Sequence, residues 1–409
     1  MAASRAKFLG LCLLLSIYFL GIGTAFLMDR DFGRVEVRMI AIPDVGKRIS
    51  GLLYRPVGAT PEKPLPAVVL THGISGSKQM VSGIALELAK RGFVALAIDL
   101  GGHGNSEGAF GSDLSDPSLG ILAAVRHLRA QPYVDGSRVG LVGHSLGAGA
   151  VRAAAFANGN VSASVFVGGG LGGVAEGPSY GEINRTFPKN LLVAVGAHDV
   201  LFDLGGLTME LGPAFGAPRE VDPCVLYGDF SLGTARKLVT PPTTHLFEPV
   251  DPSIVSEIVL WMEGALGGGS SPRPDSEVKL SYAYREAAVS SSLAAFVGLI
   301  FSISSIIFDS RPPQVRKAKA ARGTLEGWNA AAIWGALGLA AFLPMFLVGF
   351  FIQFPPLIFG SSFAWWLLAV AALGFLLIAL VVPRVSSART DLKASILESF
   401  AWTDVAVAA

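Results

Sequence analysis

The chain has 409 residues, 51% of them hydrophobic and only 15% charged, with 32 Lys and Arg against 31 Asp and Glu. This near-neutral balance, with no basic face carrying interleaved aromatics, leaves no footprint for nucleic-acid binding, and two cysteines, Cys12 and Cys224, make no disulfide framework. The apolar excess is more than a soluble enzyme needs, and it is gathered into a few segments.

The first is Phe8 to Met28, which carries no charge and has the length of a membrane-spanning helix, about 20 apolar residues. Gly21-Ile22-Gly23 and Gly23-Thr24-Ala25 are also small-residue patterns of the cleavage-site type, so residues 1–28 read as an anchor or a signal peptide. Two β-rich segments follow, Val35 to Pro43 and Ile49 to Pro56, and they predict an antiparallel hairpin at a sheet edge. Ala67-Val68-Val69-Leu70 then reads as a buried strand running into the turn Thr71-His72-Gly73-Ile74-Ser75-Gly76. Further apolar runs near residues 93, 138, 163 and 190 alternate with helical patterns near 79–91, 117–130 and 147–158. Such alternation predicts βαβ units and a parallel sheet.

The run Val139 to Val142 ends in Gly143-His144-Ser145-Leu146-Gly147, a G-x-S-x-G sequence between a strand and a helix. Flanking glycines allow a turn sharp enough to hold a serine hydroxyl clear of the sheet, which makes Ser145 the candidate nucleophile. A serine hydroxyl needs a base and an acid to orient that base, in the chain order serine, acid, histidine. The apolar run Leu191 to Val195 ends at Gly196-Ala197-His198-Asp199, and Thr243-Thr244-His245 precedes a helical pattern from Asp251 to Leu266. Asp199 and His245 are the candidate acid and base, with Asp203, Asp222 and Asp229 as competing carboxylates. The oxyanion of an acyl-transfer intermediate needs backbone N–H donors, for which Leu146 and Ile74 are placed. His72, His103, His144 and His198 read as structural, no metal-ligand spacing occurs, and no cofactor is implied.

These elements together resemble the α/β-hydrolase family, in particular its small esterase, dienelactone-hydrolase-like and serine-peptidase-like members. The resemblance covers roughly residues 35–266 and rests on the His72-Gly73 turn, the loop from Asp99 to Ser106, the Ser145 turn, and the Asp199 and His245 loops. It implies a doubly wound, mostly parallel eight-stranded sheet with a site at the carboxyl ends of the strands. Segments 169–189 and 200–235 fall where family members carry lids or pocket walls. Phe202, Leu207, Met209, Leu211, Phe215 and Phe230 there suit either an apolar acyl group or the core.

Residues 267–286, opening on a Gly/Ser/Pro-rich stretch, read as a flexible linker. Three further spanning helices are expected at about 287–308, 329–352 and 363–383, followed by a tail over 384–409. The loop between the first two of these carries Arg311, Arg316, Lys317, Lys319 and Arg322, and basic short loops stay cytoplasmic. Both termini are then cytoplasmic and the hydrolase region, residues 29–266, lies on the other side of a cell membrane. The expectation is a multi-pass, extracytoplasmic serine hydrolase, surrounded by membrane lipids, that cleaves a carboxylic ester of a small or lipid-like molecule. The alternatives are a serine peptidase of the same fold and a non-catalytic receptor or scaffold; oligomeric state is not legible.

Overall fold

The computed structural model describes residues 2–108, 116–157, 160–171, 181–267 and 278–309, together with Ala369. Helix α1 (Ala2–Asp29) leads into strands β1 (Val35–Asp44), β2 (Lys47–Pro56) and β3 (Leu65–Thr71). Helix α2 (Ser82–Ala89), strand β4 (Val94–Ile98), helix α3 (Ile121–Arg129), strand β5 (Val134–His144), helix α4 (Leu146–Ala157) and strands β6 (Ala163–Val167) and β7 (Leu191–Ala194) follow. Helix α5 (Leu204–Phe215), strand β8 (Arg236–Val239), helix α6 (Pro252–Leu266) and helix α7 (Tyr282–Asp309) complete the order.

All eight strands form one sheet in the order β1-β2-β4-β3-β5-β6-β7-β8. The β1/β2 hairpin sits at one edge, β2 meets β4 antiparallel, and β3 to β8 run parallel. Side chains alternate across a strand, so Val69, Leu96, Leu141 and Val193 enter one core with α3, α4 and α5. Val68, Leu70, Ala95, Ala97, Val142 and Leu192 enter the other with α2 and α6. Burial on both faces is why the parallel strands read as unbroken apolar runs. After β3 the chain crosses to β4 on one side, and it returns to β5 on the other. A switch in winding direction opens a crevice at the carboxyl ends of β3 and β5, where the Ile74 and Ser145 turns lie.

Part of the segment expected as a lid or pocket wall over 200–235 belongs to the core. Leu207, Leu211 and Phe215 lie on α5 and are buried in the core. Phe230 packs edge-on against Trp261, with ring centroids 4.7 Å apart. These positions therefore fill the core rather than line an acyl pocket.

Among the described residues two helices are long and apolar enough to cross a membrane, over Lys7–Asp29 and Tyr282–Ile303. The helices expected at 329–352 and 363–383, the basic loop and the tail lie outside the described residues, apart from Ala369. α1 and α7 pack along one another where Gly21 admits Ser292, whose Oγ lies 2.1 Å from where a Cβ would stand. Arg285 Nε donates to Asp29 Oδ1 at 3.1 Å at the end of that seam. Phe8, Leu20, Leu293 and Phe301 remain exposed on the outer faces of the pair.

The end of the expected linker is part of the unit built on the sheet. Ser281 and Tyr282 donate their N–H groups to Glu87 Oε1 at 2.6 and 2.8 Å. The buried Tyr282 ring lies on Gly83, and its hydroxyl donates to Val250 O at 2.6 Å. Helix α7 thus begins at Tyr282, earlier than the charge-free stretch suggested, because its first turn is held by α2 and the loop before α6.

Candidate active site

Ser145 links the last residue of β5 to the first of α4 at φ 54°, a left-handed conformation costly for a residue with a Cβ. The turn is held by Ser145 N–H donating to Val167 O at 2.8 Å and Ala148 N–H donating to Ser145 O at 2.9 Å. Glycine is required around it by close approach. A Cβ on Gly143 would stand 2.2 Å from Gly147 O, and one on Gly169 would stand 2.5 Å from Ser145 O.

The structure brings the three expected side chains together. His245 Nε2 lies 3.0 Å from Ser145 Oγ, and His245 Nδ1 lies 2.7 Å from Asp199 Oδ2. Asp199 is buried, and its Oδ1 accepts Leu201 N–H at 2.9 Å, which fixes the carboxylate after β7. Two of the three competing carboxylates are engaged elsewhere. Asp203 caps α5 by accepting Gly205 N–H at 3.2 Å, and Asp229 accepts from Ser231 N–H at 2.7 Å.

The Ile74 turn abuts the serine, because a Cβ on Gly73 would lie 3.1 Å from Ser145 Cβ. The turn is closed by Gly76 N–H donating to Gly73 O at 3.0 Å, with Ser75 at φ 68°. Leu146 opens α4, and the first N–H groups of a helix have no partner within it. Both expected amides therefore belong to elements that meet at Ser145. His72 braces this corner from below. Its Nδ1–H donates to Gly73 O at 2.7 Å and its Nε2 accepts Leu100 N–H at 3.1 Å. Burial, above all, pulls this imidazole down to about 4, so it stays neutral.

Two groups were missed by sequence reasoning. Lys78 and Asp99 form a fully buried ion pair at 2.5 Å, and Asp99 also accepts Lys78 N–H at 2.7 Å and Asn105 N–H at 2.8 Å. This pair ties the Ile74 turn to the Gly101–Ser106 loop. The second is Glu248, three residues after the base and fully buried, whose Oε1 accepts Gly196 N–H at 2.7 Å. A carboxylate one short turn beyond His245 was the available signal. His144, read as structural, packs its ring 4.8 Å from that of His245, and its Nε2–H donates to His245 O at 3.0 Å. His198, in contrast, is exposed. Ligand atoms of His144, His245 and Glu248 lie within 4.8 Å of one another. Since His245 Nδ1 is already committed to Asp199, this cluster reads as part of a hydrogen-bonding site rather than as a metal centre.

Residues 62–199 match the family model described as serine aminopeptidase, S33. That match covers β3 to β7, the Ser145 turn and Asp199, on a sheet whose order and strand directions suit the same fold. Over that stretch, less than half of its length, the chain is similar to this family. Among curated relatives, the uncharacterized protein YcjY of Escherichia coli (strain K12) is 32% identical over 119 residues, 28% of this chain and 39% of that protein. The quorum-quenching protein AidA of Acinetobacter baumannii (strain MDR-ZJ06) is 33% identical over 121 residues, 29% of this chain and 38% of that protein. The chain thus spans about two-fifths of the length of the curated relatives it matches. Among solved structures, the hypothetical protein PA2218 from Pseudomonas aeruginosa aligns at 17% identity and a TM-score of 0.41, over 57% of this chain and 94% of that one.

Proposed function

We propose that this chain is an α/β-hydrolase, a membrane-anchored serine esterase that works through a Ser145 acyl-enzyme. The observation that carries the reading is the continuous hydrogen-bonded run from Ser145 Oγ through His245 to Asp199, at 3.0 and 2.7 Å, on a backbone strained at the serine. Strain at such a position is retained where the surrounding structure enforces it for a purpose.

In the reaction, Ser145 Oγ attacks the ester carbonyl while its proton passes to His245 Nε2. Asp199 holds Nδ1–H and stabilises the imidazolium. The N–H groups of Leu146 and Ile74 receive the oxyanion. Collapse of the tetrahedral intermediate breaks the bond to the alcohol, which takes the proton from His245. Water, deprotonated by the same imidazole, then releases the acid and restores Ser145.

Exposed apolar side chains flank the reacting groups: Ile74 on the oxyanion turn, Leu201 two residues after Asp199, and Leu246 and Phe247 directly after His245. They suit an ester with an apolar or lipid-like acyl portion. The two apolar helices support anchoring, and the basic loop over 309–327 supports a hydrolase region facing away from the cytoplasm with cytoplasmic termini. A serine peptidase is the second reading, favoured by the aminopeptidase description of the matched family. The test is turnover by the full chain in detergent of a panel of p-nitrophenyl acyl esters and aminoacyl amides, beside Ser145→Ala. Ester turnover lost in Ser145→Ala supports the esterase. Amides cleaved faster than esters make the protein a peptidase, and wild-type rates in Ser145→Ala refute the chemistry.

A further inference from the structure

His245 has a second carboxylate beside it. Glu248 Oε2 lies 3.6 Å from His245 Nδ1 and 3.3 Å from His144 Nε2, yet accepts no hydrogen bond in the structure. The space it occupies is reserved for it. Gly168, at φ 54°, stands at the end of β6, and a Cβ there would lie 2.0 Å from Glu248 Oε2 and 3.0 Å from His245 Nδ1. The imidazole of His245 is therefore faced by Asp199 from the end of β7, Glu248 from its own loop, and His144 from the end of β5.

A fully buried carboxylate oxygen without a donor is costly, and packing alone does not require it. An apolar side chain of similar volume would fill the site without that cost, apart from the Gly196 N–H that Oε1 accepts. The oxygen gains a counter-charge when His245 has taken the Ser145 proton and is an imidazolium. An interaction that is stronger in the transition state than in the ground state accelerates the chemical step.

We infer that Glu248 is a positioning residue that acts through His245: its Oε2 adds negative charge beside the imidazolium, and it takes over the Nδ1–H hydrogen bond when Asp199 is replaced by asparagine. Glu248 gains and loses no proton in this scheme, since the proton moves only between Ser145 Oγ, His245 Nε2 and the leaving group. The inference rests on the proposed esterase reading and deepens it.

Glu248→Gln separates this role from a scaffolding one, because the amide oxygen still accepts Gly196 N–H while the charge is gone. In the full chain, with the best ester of the panel, Glu248→Gln is expected to lower kcat roughly tenfold at unchanged KM, with the thermal unfolding midpoint preserved. Glu248→Asp, which keeps the charge but withdraws it, should fall between Gln and wild type. In Asp199→Asn the Glu248 carboxylate takes over, so Asp199→Asn/Glu248→Gln should lose at least about tenfold more than the product of the single losses. Wild-type kcat in Glu248→Gln, or a double variant no worse than that product, would overturn the inference. Should Glu248→Gln fail to fold, wild-type kcat in Glu248→Asp overturns it instead. Ser145→Ala run in parallel keeps the two failures apart: activity surviving there rejects the esterase reading, whereas a dead Ser145→Ala beside an unaffected Glu248→Gln rejects only the role of Glu248.

Discussion

Replacing Tyr282 should damage the proposed hydrolase although this residue opens a membrane-type helix, because its side chain belongs to the core packed on the sheet. The ring is buried, with its Cδ2 3.1 Å from where a Cβ on Gly83 would stand, and truncating a core aromatic to alanine costs about 3–5 kcal/mol. The hydroxyl contributes one hydrogen bond, to Val250 O at 2.6 Å, worth about 1 kcal/mol net. Glu87, which accepts the Ser281 and Tyr282 N–H groups, stays in place in either variant. Burial pushes its carboxyl up, but hydrogen bonds from Arg91 and from Ser281 N–H outweigh this and hold it below the usual carboxylate range. Tyr282→Phe should therefore cost about 1 kcal/mol and Tyr282→Ala at least about 3 kcal/mol. Urea unfolding of the full chain in detergent, read by pulse proteolysis of the hydrolase region, measures both. Because Val250 lies on the segment that carries His245 and Glu248, Tyr282→Ala should also lower kcat. A Tyr282→Ala variant within about 0.5 kcal/mol of wild type would refute the docking of α7 on the hydrolase.

Acid should destabilise the fold through His72, whose folded value of about 4 lies below the ordinary 6.5. The unfolded chain takes up this proton as pH falls through 6.5 and the folded chain does not. The contribution is thus complete above pH 6.5 and lost towards pH 4, up to about 3 kcal/mol. Urea titrations of wild type and His72→Gln across that window should differ in slope by one proton, and parallel curves would show that His72 does not stay neutral. Cys224 is exposed on the hydrolase, so a membrane-impermeant maleimide should label it on intact cells and not in Cys224→Ser. Labelling only after the cells are lysed would place the hydrolase region in the cytoplasm.

Much of the fold was legible because its strands are covered on both faces. Ala67–Leu70, Val139–Val142 and Leu191–Val195 could be read as strands from continuous apolar sequence alone. Helix α5 was hidden by Gly205 and Gly206 in its first turn and Pro213 in its last. Strand β8 was hidden by its brevity and by Arg236, which is buried, lowered to about 10 by burial, and donates to Asn184 O at 2.8 Å. At the site, residues 145 and 199 could be placed near one another because each follows the carboxyl end of a legible parallel strand, and residue 245 by its place in chain order before the helical pattern that forms α6. Glu248 was signalled only by its spacing from His245, since their meeting depends on the missing Cβ of Gly168, a tertiary fact that spacing does not encode. The docking of Ser281 and Tyr282 on Glu87 was hidden for the same reason, behind a stretch whose composition reads as a tether.

Site mapping after exposure of the full chain to a fluorophosphonate tests the central claim most directly. The account predicts a covalent adduct on the peptide containing Ser145, formed in wild type and absent in Ser145→Ala, with labelling greatly slowed in His245→Ala. An adduct on a different serine, or a folded wild-type protein that forms none, would contradict it.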